Sequence, residues 1–296
     1  MRGGMRWWRA GPSLLGRALA VAAGLLVLIG LWEGYKWLGR STGDVWPGTD
    51  WALPVKTDDL TMPHVADIWS TLWDPVQRGR DEILAVFLFK AALETFWKAA
   101  LGFAAGTIIG LALAVLMLRS RFAERGLLPW INISQTVPLI ALAPIVVTWG
   151  RTTFLSDGLS VALIATYLTF FPVAVNALKG LQSPAPADLE LLRSYAATER
   201  DVLVKVRFPA ARPYLFPAFK LAATLSVVGA IVGEISAGVR GGLGRVILEF
   251  ASRYSTGPSK LYAGVVGAAL LGLSVFAMVS AAERLLLRGR PNGEGS

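Results

Sequence analysis

The sequence contains no cysteine and one histidine, and charged residues make up only 17% of its 296 residues. Without cysteine there is no disulfide framework, thiolate metal site or cysteine nucleophile. A single histidine excludes a histidine-cluster metal site and permits a Ser-His triad only through His64. His64 lies beside Pro63 in a polar stretch, so we expect it to be solvated or to cap a helix. The low charge content is too small to cover the surface of a soluble globular protein of this length.

Apolar residues are abundant instead, at 54% of the chain, and the mean hydropathy is +0.53. The 31 glycines fit lipid-embedded helices, in which glycine is commoner than in soluble helices. The net charge of +9 does not indicate nucleic-acid binding, because Lys and Arg are scattered between apolar runs rather than clustered on one face. The composition therefore predicts an all-α polytopic membrane protein.

Six apolar runs are long enough to cross a hydrocarbon core, which is roughly 30 Å thick and needs about 20 helical residues. No small-residue cleavage site follows the first run, so we expect a retained helix rather than a signal peptide. The six predicted spans are residues 14–38, 95–118, 127–150, 159–178, 213–233 and 261–282.

The distribution of Lys and Arg orients these spans. Both residue types are denser before the first span, between the second and third, between the fourth and fifth, and after the sixth. Because they accumulate on the cytoplasmic side, both termini are predicted to be cytoplasmic. Residues 40–82 then form a water-exposed outside insert, in which Val65, Ile68 and Trp69 have helical spacing. The insert could serve as a docking site or lid, or it could simply cap the outer mouth.

Glycine and proline mark packing faces and breaks within the spans. Gly102, Gly106 and Gly110 recur every fourth residue, which predicts close packing of the second span against another helix. Pro138 interrupts the third span and Pro172 the fourth. Each proline frees a backbone carbonyl that neighbours or a water-lined cavity must satisfy.

The predicted cytoplasmic connection at residues 184–213 is longer than a minimal link between two helices. Residues 188–205 contain neither proline nor glycine, and Asp188 is a plausible N-cap. Two short helices divided near Thr198 would fit along the membrane surface. An ordinary surface helix that only holds two spans together fits the same pattern.

This connection resembles the signature of permease subunits of ABC-type importers, which reads Glu-Ala-Ala, three residues, Gly, nine residues, and Ile-x-Leu-Pro. Here Glu190 is followed by Leu191 and Leu192, Ala196 occupies the glycine position, and the motif ends at Pro209. The spacing is kept, while both alanines and the glycine are replaced.

The resemblance covers residues 94–284 and is strongest to the nitrate, sulfonate and taurine importer branch, which also includes transporters of pyrimidine and other vitamin precursors. The matching residues in the second and third spans are Thr95, Phe96, Lys98, Gly102, Phe103, Gln135, Thr136, Val137, Pro138, Ala141, Leu142, Ala143, Pro144 and Trp149. Those in and after the fourth and fifth spans are Phe170, Phe171, Pro172, Asn176, Gly180, Glu234, Gly242, Leu243 and Gly244.

The resemblance implies a type I ABC importer permease with six transmembrane helices, whose coupling helix around Glu190 docks in a groove of a cytoplasmic ATPase. The implied partners are a second permease subunit, identical or related, two ATPase subunits that hold ATP and Mg, an extracytoplasmic solute-binding protein and membrane lipid. The location would be a bacterial-type plasma or inner membrane. The residues expected to couple the chain to the ATPase are Glu190, Arg193, Tyr195, Ala196, Glu199 and Pro209.

The chain has no Gly-rich phosphate loop ending in Gly-Lys-Ser or Gly-Lys-Thr, so we expect no ATP hydrolysis, catalytic residue, cofactor or metal in this subunit. Three regions are predicted. Residues 1–93 hold the N-terminal tail, the first span and the insert, with an amphipathic helix at 81–93. Residues 94–284 form the permease core, and residues 285–296 a cytoplasmic tail.

Neutral polar residues within the apolar spans are the candidates for lining a pathway for a small organic or oxyanion solute. Each could equally make a hydrogen bond within helix packing. The candidates are Ser134, Gln135, Thr136, Asn176 and Ser226.

The alternative function is a secondary transporter or channel that is not driven by ATP. It is disfavoured because the third and fourth spans carry no acidic or basic residue at mid-depth and no internal repeat is convincing. An intramembrane enzyme is a further alternative, but Ser134 and Ser226 have no histidine partner within the spans.

Overall fold

A computed structural model describes residues 14–77, 81–153, 155–236 and 238–287. In this part of the chain every regular element is helical, and β-pairing is limited to two isolated bridges. The predicted tails before residue 14 and after residue 287 lie outside the described residues. The α-helices are α1 (Leu14–Thr42), α2 (Val65–Thr71), α3 (Leu84–Arg119), α4 (Arg121–Ser134), α5 (Leu139–Thr152), α6 (Asp157–Leu181), α7 (Pro186–Ser194), α8 (Glu199–Val202), α9 (Phe208–Ser236), α10 (Leu243–Ser252) and α11 (Pro258–Leu287).

The described residues form two compact units, and the first comprises residues 14–74 and 253–263. In this unit the insert folds against one end of α1. The ammonium of Lys36 is buried and donates to Asp59 Oδ1 at 2.7 Å and to the Met62 carbonyl. The predicted helix of the insert is confirmed as α2. His64 occupies the N-cap position of α2, but its ring contacts Glu33 Oε2 at 2.8 Å instead of capping the helix.

The second unit, formed by the described residues of 75–252 and 264–287, holds the remaining spans. Its centre is the contact between α3 and α6. A Cβ added at Gly102 would lie 2.3 Å from Ala165 Cβ, and one added at Gly110 would lie 2.8 Å from Val173 Cβ. The predicted close packing at these glycines is therefore confirmed, and because the contacts advance together along both helices, α3 and α6 run parallel.

The helix α9 packs antiparallel to α6. Gly229 lies against Ala165, while Gly180 lies against Ala211. Lys220 on α9 pairs with Glu283 near the end of α11, whereas the earlier residues Leu271 and Val275 of α11 pack against the core cluster that contains Val227 and Ala230 of α9. The order of these contacts makes α11 antiparallel to α9. The spans α3, α6 and α11 therefore share one direction, which α9 opposes.

The third predicted span is present but is not a straight helix. It consists of α4 and α5, which are bent by 98° at a break over residues 135–138, where Pro138 is the N-cap of α5. Because α3 and α6 run parallel, α4 and α5 together must return the chain across the membrane between them. With the five helices that are individually long and apolar enough, this pair completes six spans.

The start of the second span differs from the prediction. The amphipathic stretch expected at 81–93 and the span expected from Thr95 form one continuous helix that begins at Leu84. The predicted boundary between residues 93 and 94 thus lies inside α3. An apolar run predicts the part of a helix that lies in lipid, and α3 begins about three turns before that part.

Candidate functional site

The connection between α6 and α9 forms a short helix, a tight turn and a second helix. The predicted division near Thr198 is confirmed: α7 ends at Ser194 and α8 begins at Glu199. The predicted N-cap at Asp188 is wrong, because Ala185 is the N-cap and Pro186 begins the helix. Proline suits this first position, where no intrahelical bond requires its missing N–H.

The turn after α7 closes with two backbone hydrogen bonds. Ala197 donates to the Leu192 carbonyl at 3.1 Å, and Ala196 donates to the Arg193 carbonyl at 3.0 Å. This is the Schellman arrangement, in which the residue after the C-cap is left-handed and is usually glycine. Ala196 has φ +54°, so the position where the family motif has glycine keeps the glycine conformation in this chain.

From α8 the chain continues into the fifth span without leaving helical geometry. Thr198 caps α8 by accepting a hydrogen bond from Asp201 N at 3.2 Å. A π-helical turn, Leu203–Arg207, then leads into α9. Pro209 has no N–H, so the regular α-helical bond to the Lys205 carbonyl cannot form there. The segment is thus attached directly to α9.

Two side-chain contacts attach the connection to other spans. Arg207 Nη1 donates to the Leu181 carbonyl at the end of α6 at 2.7 Å. Gln182 Nε2 donates to Glu124 Oε1 of α4 at 3.0 Å. A displacement of α7 and α8 would therefore reach α4, α6 and α9.

Most of the predicted coupling residues are exposed. Tyr195 is 77% exposed, and Glu190, Arg193 and Glu199 are also exposed. Pro209 is different, because it is half-buried in the first turn of α9. The exposed set combines an aromatic ring with charges of both signs, which is typical of a polar-rimmed interface around an aromatic anchor.

Three candidate pathway residues meet at the bend between α4 and α5. Ser134 Oγ donates to the Ile131 carbonyl at 2.7 Å and accepts from Gln135 Nε2 at 3.2 Å, while Thr136 Oγ1 donates to the Ile133 carbonyl. The hydroxyl of Tyr167 on α6 donates to the Ser134 carbonyl. Exposed or half-buried neutral polar groups therefore surround the break, which we call the elbow (residues 134–138).

The other two candidates lie away from the elbow. Asn176 is half-buried and its Nδ2 donates to the Pro172 carbonyl at 2.7 Å within α6. Ser226 is fully buried and its hydroxyl donates to the Ala223 carbonyl at 2.8 Å. In this conformation Ser226 makes a packing hydrogen bond, and its side chain does not line an open surface.

A buried charged cluster was not predicted. Glu234 of α9 is fully buried and accepts from Lys98 Nζ of α3 at 2.8 Å, from Thr95 Oγ1 at 3.0 Å and from Gly244 N at 2.9 Å. Thr95 Oγ1 in turn accepts from Leu243 N at 2.8 Å. Charges thus do occur within the second and fifth spans, where Lys98 pairs with Glu234 and Lys220 pairs with Glu283 of α11. The argument from an absence of intramembrane charge holds only for the third and fourth spans. The sequence signal is a lysine near the start of the second span and a glutamate directly after the fifth.

Comparison with known proteins finds similarity to membrane components of transport systems. A family model described as binding-protein-dependent transport system inner membrane component matches residues 106–288. The formylaminopyrimidine transport permease protein of Halalkalibacterium halodurans is 34% identical over 190 residues, which cover 64% of this chain and 73% of that protein. The nitrate import permease protein of Leptolyngbya laminosa is 25% identical over 264 residues, which cover 89% of this chain and 85% of that protein.

Two further likenesses concern the branch and the fold. The putative aliphatic sulfonates transport permease protein of Bacillus subtilis is 29% identical over 216 residues, which cover 73% of this chain and 76% of that protein. A crystal structure of an amino acid ABC transporter with histidines matches with a TM-score of 0.54 at 16% identity, covering 69% of this chain and 94% of that one. The second likeness concerns the fold alone.

Proposed function

Because the chain belongs to the family of binding-protein-dependent transport system inner membrane components and is a permease subunit of an ABC importer, we propose that α7 and α8 form the surface on which a cytoplasmic ATPase acts. The predicted relationship to nitrate and sulfonate permeases is confirmed by the relatives. The chain itself is a transport component and a multi-pass membrane protein.

The observation that carries this proposal is the continuity between an exposed docking surface and a membrane span. Glu190 lies on α7 and Tyr195 is its C-cap, next to the turn at Ala196, and the chain is helical from Glu199 to Ser236. A rigid-body displacement of this surface would move α9 directly, which is how alternating access can be driven from one side.

The proposed assembly contains a second permease, identical or related, two ATPases that bind ATP and Mg, and an extracytoplasmic binding protein. It would lie in a bacterial-type cell membrane. The elbow at 134–138 is proposed to line the pathway, since its hydroxyl and amide groups suit a small organic or oxyanion solute. Asn176 remains a candidate, whereas Ser226 requires a conformation that exposes it.

Reversing one charge on the docking surface tests the proposal. Glu190→Lys places a like charge against any basic group that Glu190 meets, which can cost several kcal/mol at an interface. We expect normal amounts of the permease in the membrane but reduced co-purification of the ATPase. Asp67→Lys on α2 makes the same change on an exposed residue of the insert and should leave co-purification unchanged. Equal recovery of the ATPase with both variants would contradict the proposed docking surface.

A further inference from the structure

The buried carboxylate of Glu234 joins three elements that are distant in sequence. It accepts hydrogen bonds from Lys98 and Thr95 of α3 and from the backbone of Gly244, while belonging itself to α9. Gly244 lies in the first turn of α10, directly after the non-helical residues 238–242. The distribution of Lys and Arg places residues 238–244 on the outer face, and we call them the outer turn. One side chain thus connects the second span, the fifth span and the outer turn.

The outer turn is shaped around this carboxylate. Gly242 has φ +87°, and a Cβ added there would lie 2.0 Å from Glu234 Oε1. A Cβ added at Gly244 would lie 2.4 Å from the Ile231 carbonyl oxygen. Side-chain-free backbone therefore wraps the carboxylate closely, and the turn cannot shift relative to α9 without exposing or unpairing a buried charge.

The other end of the same helical rod carries the docking surface. Helical geometry is continuous over the 38 residues from Glu199 to Ser236, a length of about 57 Å at the usual rise per residue. The ATPase-facing segment and the outer turn are thus at opposite ends of one element. Glu234 binds the outer turn to that element through Gly244 N, and Val239 of the turn packs in the same apolar core as Val227 and Ala230 of α9.

We propose that Glu234 is a positioning residue that makes the outer turn move with α9, so that the nucleotide state of the ATPase is transmitted to the outer face. This inference rests on the proposed docking of the ATPase at α7 and α8. It assigns to Thr95 the role of holding the turn, because its hydroxyl bonds both the carboxylate and Leu243 N.

The absence of cysteine allows a direct test with one reporter thiol. Arg240 is exposed in the outer turn, so Arg240→Cys introduces a reporter at a single position. The rate of its reaction with a membrane-impermeant maleimide would be measured in the complete complex, without nucleotide and after trapping with Mg-ATP and vanadate. We expect trapping to change the rate in the otherwise unaltered chain and Glu234→Gln to abolish that change.

Variants at Thr95 separate positioning from a loss of folding. Thr95→Val is nearly isosteric but removes the hydroxyl, whereas Thr95→Ser keeps it. Thr95→Val should diminish the nucleotide-dependent change and Thr95→Ser should preserve it, with both proteins recovered in similar amounts. If the Glu234→Gln protein does not accumulate in the membrane, the comparison of Thr95→Val with Thr95→Ser tests the positioning role by itself.

The outcomes distinguish this inference from the proposed function. A nucleotide-dependent change that persists in Glu234→Gln or in Thr95→Val would overturn the role of the cluster. The proposed role would also be overturned if the labelling rate of Arg240→Cys, with no other substitution, were the same with and without trapped nucleotide although the ATPase co-purifies. Failure of the ATPase to co-purify with the unaltered chain would instead contradict the proposed function and this inference together.

Discussion

Ala197 donates its backbone N–H to the carbonyl oxygen of Leu192 at 3.1 Å, and this bond, which ends α7, depends on the left-handed conformation of the intervening Ala196. A left-handed conformation costs a residue with a Cβ roughly 1–2 kcal/mol. The chain therefore tolerates strain at the centre of its docking surface, where the family motif has glycine.

Ala196→Gly is expected to relieve this strain. It should stabilise the turn by about 1 kcal/mol, because glycine adopts positive φ without steric cost. The stabilisation would be measured as slower hydrogen exchange of the α7 amides in Ala196→Gly than in the unaltered chain. Ala187→Gly, the same change inside α7, should act in the opposite direction by about 0.5–1 kcal/mol. Faster exchange in Ala196→Gly would contradict the observed geometry.

Gly102→Ala should destabilise the packing of α3 on α6. The new methyl group would lie 2.3 Å from Ala165 Cβ and 2.8 Å from the Ala162 carbonyl oxygen. Overpacking of this kind costs about 1–3 kcal/mol, which should lower the melting temperature of the purified protein. Gly30→Ala is the matched control, because no atom lies within 4 Å of a Cβ there. Equal melting temperatures would mean that the two helices are not packed as described.

Pairing with a second permease can be tested on α9. Leu221 and Val228 are exposed and seven residues apart, so they share one face of the helix. Cysteines at these positions should give a cross-linked species of two permease chains on oxidation. Ala222→Cys lies on the buried face of the same helix and should not. An intact complex in which neither exposed site cross-links would argue against α9 as the contact between permeases.

The orientation predicts which surfaces a membrane-impermeant thiol reagent can reach in intact cells. Asp67→Cys on α2 should react, whereas Arg193→Cys on α7 should react only after the membrane is permeabilised. Both residues are exposed, so access through the membrane is the difference measured. Labelling of Arg193→Cys in intact cells would contradict the predicted orientation, because it would place α7 on the outer side.

Acid should loosen the insert. The pKa of Asp59 is lowered, chiefly by the hydrogen bond from Lys36. A carboxyl group with a depressed folded-state pKa contributes stability above its unfolded pKa of about 3.9 and loses it as the pH falls through the folded value. The protection of residues 57–64 from hydrogen exchange, expressed relative to the intrinsic exchange rate at each pH, should therefore fall below about pH 4. Asp59→Asn should show fast exchange already at neutral pH, and Asp67→Asn should behave like the unaltered chain.

The apolar spans and their glycine face could be predicted because each depends on local sequence. The four-residue spacing of Gly102, Gly106 and Gly110 predicts close packing against another helix without identifying that helix. The identity of that partner, α6, and its parallel direction could not be read from α3 alone. They follow from which helices pack together in the folded chain.

The elbow and the Glu234 cluster show two further limits of the sequence. Pro138 indicated a break, but the 98° angle depends on packing, including the bond from Tyr167 to the Ser134 carbonyl. Lys98 and Glu234 are 136 residues apart, and only the fold brings them together. The family resemblance includes both residues but predicts no contact between them.

The parallel packing of α3 and α6 also has a consequence for biosynthesis. The glycine face of α3 around Gly102 is complementary to Ala165, which leaves the ribosome more than sixty residues later. At about 5–20 residues per second, that interval lasts roughly 3–12 s. During this time α4 and α5 must be threaded through the bilayer while the glycine face of α3 has only lipid or insertion machinery against it. A nascent chain that stalls before α6 emerges would therefore present an unfilled groove to the quality-control proteases of the membrane.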